Sequence, residues 1–458
     1  MDKKVCSLLA GILIAILLFL VPIPSLTKEG RLFISLTIMT VIFWVFQVAQ
    51  SGFVAGLYLS LLIIFKVAPE GVILYAWTGS TMYLVIGAYL IAGAVKTSGL
   101  GERIAYNFII RFVSSYNSII ISSFALTALL SLFIPLPWPR AFLVMSVMSI
   151  IVEIAGLSEA SAIKVGFSVF AASVPTSLIF LTGDSLLNPL AIKLSGISVS
   201  WIQWFVYMGI PAIIASGLTY LAFIFTFKEE ENVSIDKMEI KRKLQDLGAL
   251  TSMEKYTMFW LLLAIFLWTT DFLHGIDLGW ATFTVSMLMG LPLLTGILSP
   301  DAWREIPIGI LIFLTAAMAI GNVGAYTGVN QWIAQTLLPS SMPSNMFLIG
   351  AFIVGVSIII HLLLGSVIAV IGVAIPAILS FTEPLGINSL IPTFLVYTAV
   401  AIHYILPFHH LNILLGEGVT NGRYSRKESL KLAVPLTIIV FVITLLVELP
   451  WWKLLGLY

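Results

Sequence analysis

The chain has 458 residues, 60% of them apolar and 10% charged, against roughly 45–50% apolar and 25% charged in a soluble domain, which excludes a soluble globular enzyme. Its 23 Lys and Arg balance 22 Asp and Glu, leaving no basic footprint for nucleic acid. One cysteine, Cys6, allows no internal disulfide, and no Cys/His cluster has structural-zinc spacing, so no cofactor or resident metal is expected and lipid and helix packing must hold the fold.

A spanning helix needs about 20 mostly apolar residues to cross a hydrocarbon core about 30 Å thick. Many such runs occur, and the period-two alternation of a barrel strand does not. The expected fold is an all-α polytopic membrane protein with about 11 transmembrane helices, two re-entrant helical hairpins and two inverted-topology repeats. Residues 1–30 hold the first transmembrane helix: its apolar run, Val5 to Pro22, is longer than that of a signal peptide, and no A-x-A cleavage site follows. Residues 31–227 form unit 1. Its segment 117–155 is apolar, too long for one crossing and interrupted at IPLPWPRAF, Ile134–Phe142, which reads as a re-entrant hairpin. Its crossing helix 162–192 is broken at FLTGDSLLNP, Phe180–Pro189. Residues 228–255, the one long polar stretch, are a cytoplasmic linker, either solvated or a helix on the membrane surface. Residues 256–458 form unit 2, with a hairpin over 345–383 interrupted at HLLLGSVIA, His361–Ala369, and a helix over 391–416 broken at ILPFHHLN, Ile405–Asn412.

The halves share a pattern. GAYLIAGAVKTSGLGERIA, Gly87–Ala105, lies over AAMAIGNVGAYTGVNQWIA, Ala316–Ala334, with five identities at an offset of 229; farther on, Asn188 falls over Asn412 and Pro211 over Pro435 at an offset of 224. With a cytoplasmic N-terminus, sixteen Lys and Arg fall inside and five outside, as cationic loops should. That topology runs the two units in opposite directions. Inverted repeats place a site near the bilayer midplane, where broken helices expose backbone groups. Trp201, Trp204, Trp451 and Trp452 fall at expected span ends, as interfacial anchors do.

Thr182-Gly183 followed by Asn188 and then MGIP, Met208–Pro211, is similar to the Thr-Gly-Thr-Pro-Pro-Asn element of the divalent anion:sodium symporters, and Leu406-Pro407 followed by Asn412 resembles its second copy. The chain is identified as a divergent member of that family. Pro137-Trp138-Pro139-Arg140 and Leu364-Gly365-Ser366 stand where the family's hairpins carry Ser-Asn-Thr. The resemblance implies a plasma-membrane carrier of dicarboxylate, citrate or sulfate, working as a homodimer by an elevator motion.

The residue types at the breaks suggest roles. Substrate ligands are expected among Arg140, whose guanidinium can make a two-pronged bond to a carboxylate, Ser185, Asn188, Ser366, His409 and Asn412. Ion coupling is expected at Thr182, Gly183, Asp184, Gly365 and His410, with sodium at Asp184 together with the Thr182 and Gly183 carbonyls; alternatively, Asp184 pairs with Arg140. A histidine can titrate near neutral pH, so His409 and His410 also open proton coupling. The expected activity is sodium-coupled secondary transport of a small divalent anion. The rivals are a cation/proton antiporter or arsenite-type permease, and a proton-coupled anion carrier. No nucleotide-binding loop or H-x-x-x-H pair supports a pump or an intramembrane enzyme.

Overall fold

The computed structural model describes residues 3–228, 237–337, 345–406, 409–418 and 422–458, and among them every regular element is helical. Capping residues and glycines set where the helices start and stop. α1 (Lys3–Leu20) leads to α2 (Lys28–Val45), where Thr27 Oγ1 accepts the Gly30 N–H at 3.0 Å. After α3 (Ser51–Ile64) and α4 (Ser80–Ser98), Gly99 takes φ 78° and turns the chain directly into α5 (Leu100–Phe112). The 117–155 segment divides into α6 (Tyr116–Leu130) and α7 (Pro137–Ile154), the latter starting on a proline whose missing N–H would have been unpaired anyway. α8 (Glu159–Thr176) carries Pro175 at its end, and a 3₁₀ turn, Leu181–Asp184, separates it from α9 (Leu187–Ser195). α10 (Trp201–Thr226) contains a π turn at Phe205–Gly209.

The second half begins with α11 (Lys237–Asp246) and α12 (Ser252–Thr269), which opens on a reciprocal Thr251–Glu254 cap. α13 (Leu278–Met289), α14 (Ile308–Tyr326) and α15 (Val329–Leu337) follow. The 345–383 segment divides into α16 (Met346–Leu364) and α17 (Val367–Thr382) at Gly365, φ 61°. α18 (Leu390–Ala401) and the short α19 (Leu411–Gly416) flank the second break, and α20 (Arg426–Leu454) includes a π turn at Ile443–Glu448.

Among the described residues, α4, α7, α10, α14, Val367–Leu385 and α20 are long and apolar enough to cross a membrane, and six shorter apolar helices accompany them. Leu13, Phe225, Leu262, Phe266, Val434 and Ile438 are exposed on their outer faces, where lipid is a favourable solvent and water is not. The chain is therefore a multi-pass membrane protein. α8 lies against both α6 and α7, and α18 likewise against both α16 and α17. Between the halves, α4 packs on α13 and α14 packs on α3.

In the linker, residues 229–236 lie outside the described residues. What is described docks on protein: α11 packs on α5, Ile240 is buried and Lys237 Nζ donates to Ile110 O at 3.0 Å. Arg103 then ties α5 to the start of α12, donating to Glu254 Oε1 at 2.5 Å and to the carbonyls of Leu247 and Gly248.

Candidate functional site

Between Thr176 and Leu187 the chain leaves the α-helix while buried, so its carbonyls need donors that neither lipid nor water can supply. Asn188 serves three of them, the two hydrogens of its Nδ2 being shared among Ser177 O, Phe180 O and Leu181 O at 3.0, 2.9 and 3.2 Å, while its Oδ1 accepts the Tyr397 hydroxyl from α18. Arg140 NH1 donates to Ile134 O and Gly183 O, both at 3.0 Å, pinning the α6–α7 break to the α8–α9 break. Ser185 N–H donates to Pro135 O and completes that link. Gly183 is held so closely that a Cβ there would sit 2.6 Å from Ser177 O.

The tryptophans are corrected by this arrangement. Trp204 and Trp452 are fully buried, not headgroup anchors. Trp204 Nε1 donates to Leu178 O at 2.9 Å and Trp201 Nε1 to Thr182 Oγ1 at 3.1 Å. Trp451 and Trp452 donate to Val206 O and Tyr207 O, carbonyls in the π turn of α10. Their indole N–H groups brace irregular backbone, a demand that composition at span ends does not reveal.

Asp184 Oδ1 accepts the Leu186 and Leu187 N–H groups at 3.0 Å, which leaves Oδ2 for a ligand. Arg140 bonds to carbonyls and forms no ion pair with Asp184 or Glu153. It is fully buried, and its Nε and NH2 have no partner. A guanidinium on Gly183 O opposes a cation at that carbonyl, and Thr182 O already accepts the Ser185 hydroxyl at 3.3 Å.

At the second break, Pro407 and Phe408 lie outside the described residues. His409 Nδ1 accepts the Ile405 N–H at 3.2 Å, and His410 Nδ1 caps α19 by accepting the Asn412 N–H at 3.3 Å. His361, on α16, bonds through Nε2 to His409 O at 3.0 Å. Asn412 Nδ2 donates to Ser173 Oγ on α8 at 3.3 Å, bringing α19 beside the first unit's broken helix.

The two breaks and the α16–α17 turn border an open cavity of about 670 Å³. Asp184, Gly365, Ser366, His409, His410 and Asn412 line it. Arg140, Thr182, Gly183, Ser185 and Asn188 do not; they are buried behind it and support the backbone. The opposite wall comes from Trp44, Gln47, Gln50, Pro307 and Phe313 on and beside α2, α3 and α14, with Lys4 of α1 also lining the cavity. Sequence reasoning missed that wall because nothing local marks which face of α2 or α14 meets a break far along the chain. The start of α17, Ser366 to Ile368, also lines the cavity, and a helix start is a favourable place for an anion. Among the described residues, no group of three or more His, Cys, Asp or Glu could hold a metal ion.

The family model described as sodium:sulfate symporter transmembrane region matches residues 2–458. The chain is 25% identical to a chloroplastic dicarboxylate transporter of Spinacia oleracea, over 83% of this chain and 69% of the relative. It is 24% identical to a putative malate transporter of Bacillus subtilis, over 77% and 75%. It is 22% identical to a sodium-dependent dicarboxylate transporter of Staphylococcus aureus, over 72% and 70%.

Proposed function

The chain belongs to the sodium:sulfate symporter family and is a membrane transporter, not an enzyme, and on that premise we propose that it carries four-carbon dicarboxylates such as malate and succinate across the membrane by alternating access. The observation that carries this reading is the 670 Å³ cavity bounded by both helix breaks. One carboxylate of the substrate meets the α17 N–H groups and Ser366; the other meets His409 and Asn412. Arg140 acts from behind the wall, holding both irregular segments together and placing positive charge near the anion.

Sodium is the proposed coupling ion. The family description and the printed name of the Staphylococcus relative support it, and Asp184 Oδ2 is its ligand in this chain, Gly183 O being occupied by Arg140. The elevator motion carries α6–α9 and α16–α19 past α2, α3 and α14, with a homodimer in the plasma membrane and a cytoplasmic N-terminus. Inverted repeats are part of the same proposal, supported by each broken helix lying against both arms of its own hairpin.

Reconstitution into liposomes tests the function. An inward sodium gradient is expected to drive saturable accumulation of labelled malate, competed by succinate. Cation-driven proton release with no anion uptake would replace this reading with the antiporter.

A further inference from the structure

The second break gathers four of the chain's five histidines, His361, His403, His409 and His410, all buried. Their partners decide which ring nitrogen carries hydrogen. A carbonyl oxygen only accepts, so His361 Nε2, bonded to His409 O at 3.0 Å, is an N–H. Thr437 Oγ1 gives its hydrogen to Ala433 O at 2.9 Å and therefore accepts from His403 Nε2 at 3.0 Å. His409 and His410 use Nδ1 to accept backbone N–H groups; protonating either nitrogen would strand a backbone donor, which is costly when buried. His361 Nδ1 and His403 Nδ1 are different. Both are buried without a hydrogen-bond partner, and the two ring centroids are 5.9 Å apart.

Among the described residues, no carboxylate is bonded to this pair. His409 faces His361 with ring centroids 5.4 Å apart, and His410 stands against Tyr404 at 6.4 Å. α18 adds Tyr397, whose hydroxyl is bonded to Asn188. Glu448 accepts the Thr398 hydroxyl at 2.6 Å, and its π turn meets α16 beside Gly350, at the end opposite His361. α17 carries no charged residue from Val367 to Thr382. α20 presents Thr437 to His403 and keeps Arg426, Lys427, Glu428 and Lys431 in its first two turns. The charged residues of α2, which also packs on α16, are Lys28, Glu29 and Arg31 in its first turn. A proton on the pair would be an uncompensated buried charge, costly alone. A dianion in the cavity lined by His409 and His410 supplies the compensation.

We propose that His361 and His403 share one proton, taken from water onto Nδ1 when a divalent anion enters the cavity and released when the anion leaves. Two protons are excluded by repulsion between adjacent cationic rings. The sodium site at Asp184 and this proton site then lie one in each half of the chain. The inference rests on the anion-transport reading.

The test uses the full-length protein in nanodiscs, with malate binding followed by calorimetry between pH 6.5 and 8.5, where malate is a dianion, and proton uptake read with an indicator in weak buffer. About one proton is expected per malate bound, with affinity tightening by up to about tenfold per pH unit as pH falls. The doubly substituted protein, His361→Gln with His403→Gln, keeps the ε-position donors to His409 O and Thr437 Oγ1; it is expected to bind malate without proton uptake and with a pH-independent affinity. Malate binding without proton uptake in the unsubstituted protein, or uptake that survives in the double variant, overturns the proposal and leaves the transport reading standing. Failure to bind malate or any other dicarboxylate or sulfate overturns both. Nitrogen NMR of histidine-labelled unsubstituted protein gives a reading independent of the variants: Nδ1 signals of the pair should shift toward the protonated form on malate addition, and unmoved histidine signals would refute the idea.

Discussion

Asn188 shares its two amide hydrogens among three carbonyls of the first break. Replacing it with Ala leaves buried acceptors unpaired, at about 1–3 kcal/mol for such groups, and should lower the melting temperature in detergent and slow malate uptake. An unchanged melting temperature would show that water reaches those carbonyls. Gly183→Ala should also destabilise, because its Cβ would lie 2.6 Å from a backbone oxygen, and overpacking of this kind costs about 1–3 kcal/mol; the same thermal scan reads it. At this scale, residue types at breaks could be read from the sequence, but roles could not. Asn188 and Asn412 align at the sequence offset of 224, yet Asn188 is spent on backbone and Asn412 lines the cavity. His409 and His410 adjoin the cavity, yet their Nδ1 atoms serve as backbone acceptors. Such differences depend on where a ring or amide points, which a residue letter does not encode.

Arg103 joins α5, the linker and α12 through one guanidinium, with the Glu254 side chain 3% exposed. That hydrogen bond holds the Glu254 carboxyl below its ordinary value. A carboxyl with a depressed folded value adds stability at pH above its unfolded value, about 4.3, and loses it as pH falls through the folded value. Arg103→Ala should therefore cost about 1.5–3 kcal/mol at pH 7, the range for hydrogen bonds to charged groups. The gap in melting temperature from the unsubstituted protein should narrow as pH is taken below about 4. A gap that stays constant would mean that Arg103 acts through packing alone. Helix breaks were legible because proline and glycine punctuate them: Pro137 and Gly365 stand at helix ends inside the expected interruptions. The linker was less so, since its docking depends on Ile240 meeting α5, a long-range contact.

At the scale of the whole molecule, the cross-half packing is reciprocal. α4 packs on α13 and α14 packs on α3, the exchanged pairing expected if the halves are the proposed repeat units. Close backbone approaches occur at both of these seams: a Cβ on Gly279 would be 2.2 Å from Ser80 O, and one on Gly52 would be 2.6 Å from the Gly309 Cα. Gly52→Val and Gly279→Val should therefore both separate the halves and reduce transport by similar factors; a large effect from one and none from the other would argue against equivalent units. In the sequence, the proposed repeat rests on Gly99 over Gly328 and Asn188 over Asn412. The exchanged packing could not be read there, because it involves faces of helices that are apolar all round.

The most direct test of the account asks whether a dianion occupies the cavity between the breaks. Cys6 is the one cysteine, so Cys6→Ser provides a background in which Ser366→Cys can be labelled by a small, water-soluble thiol reagent. Ser366 lines the cavity, and malate is expected to slow its labelling several-fold, with half-protection at the concentration that half-saturates uptake. Labelling that proceeds at the same rate under saturating malate would contradict the account.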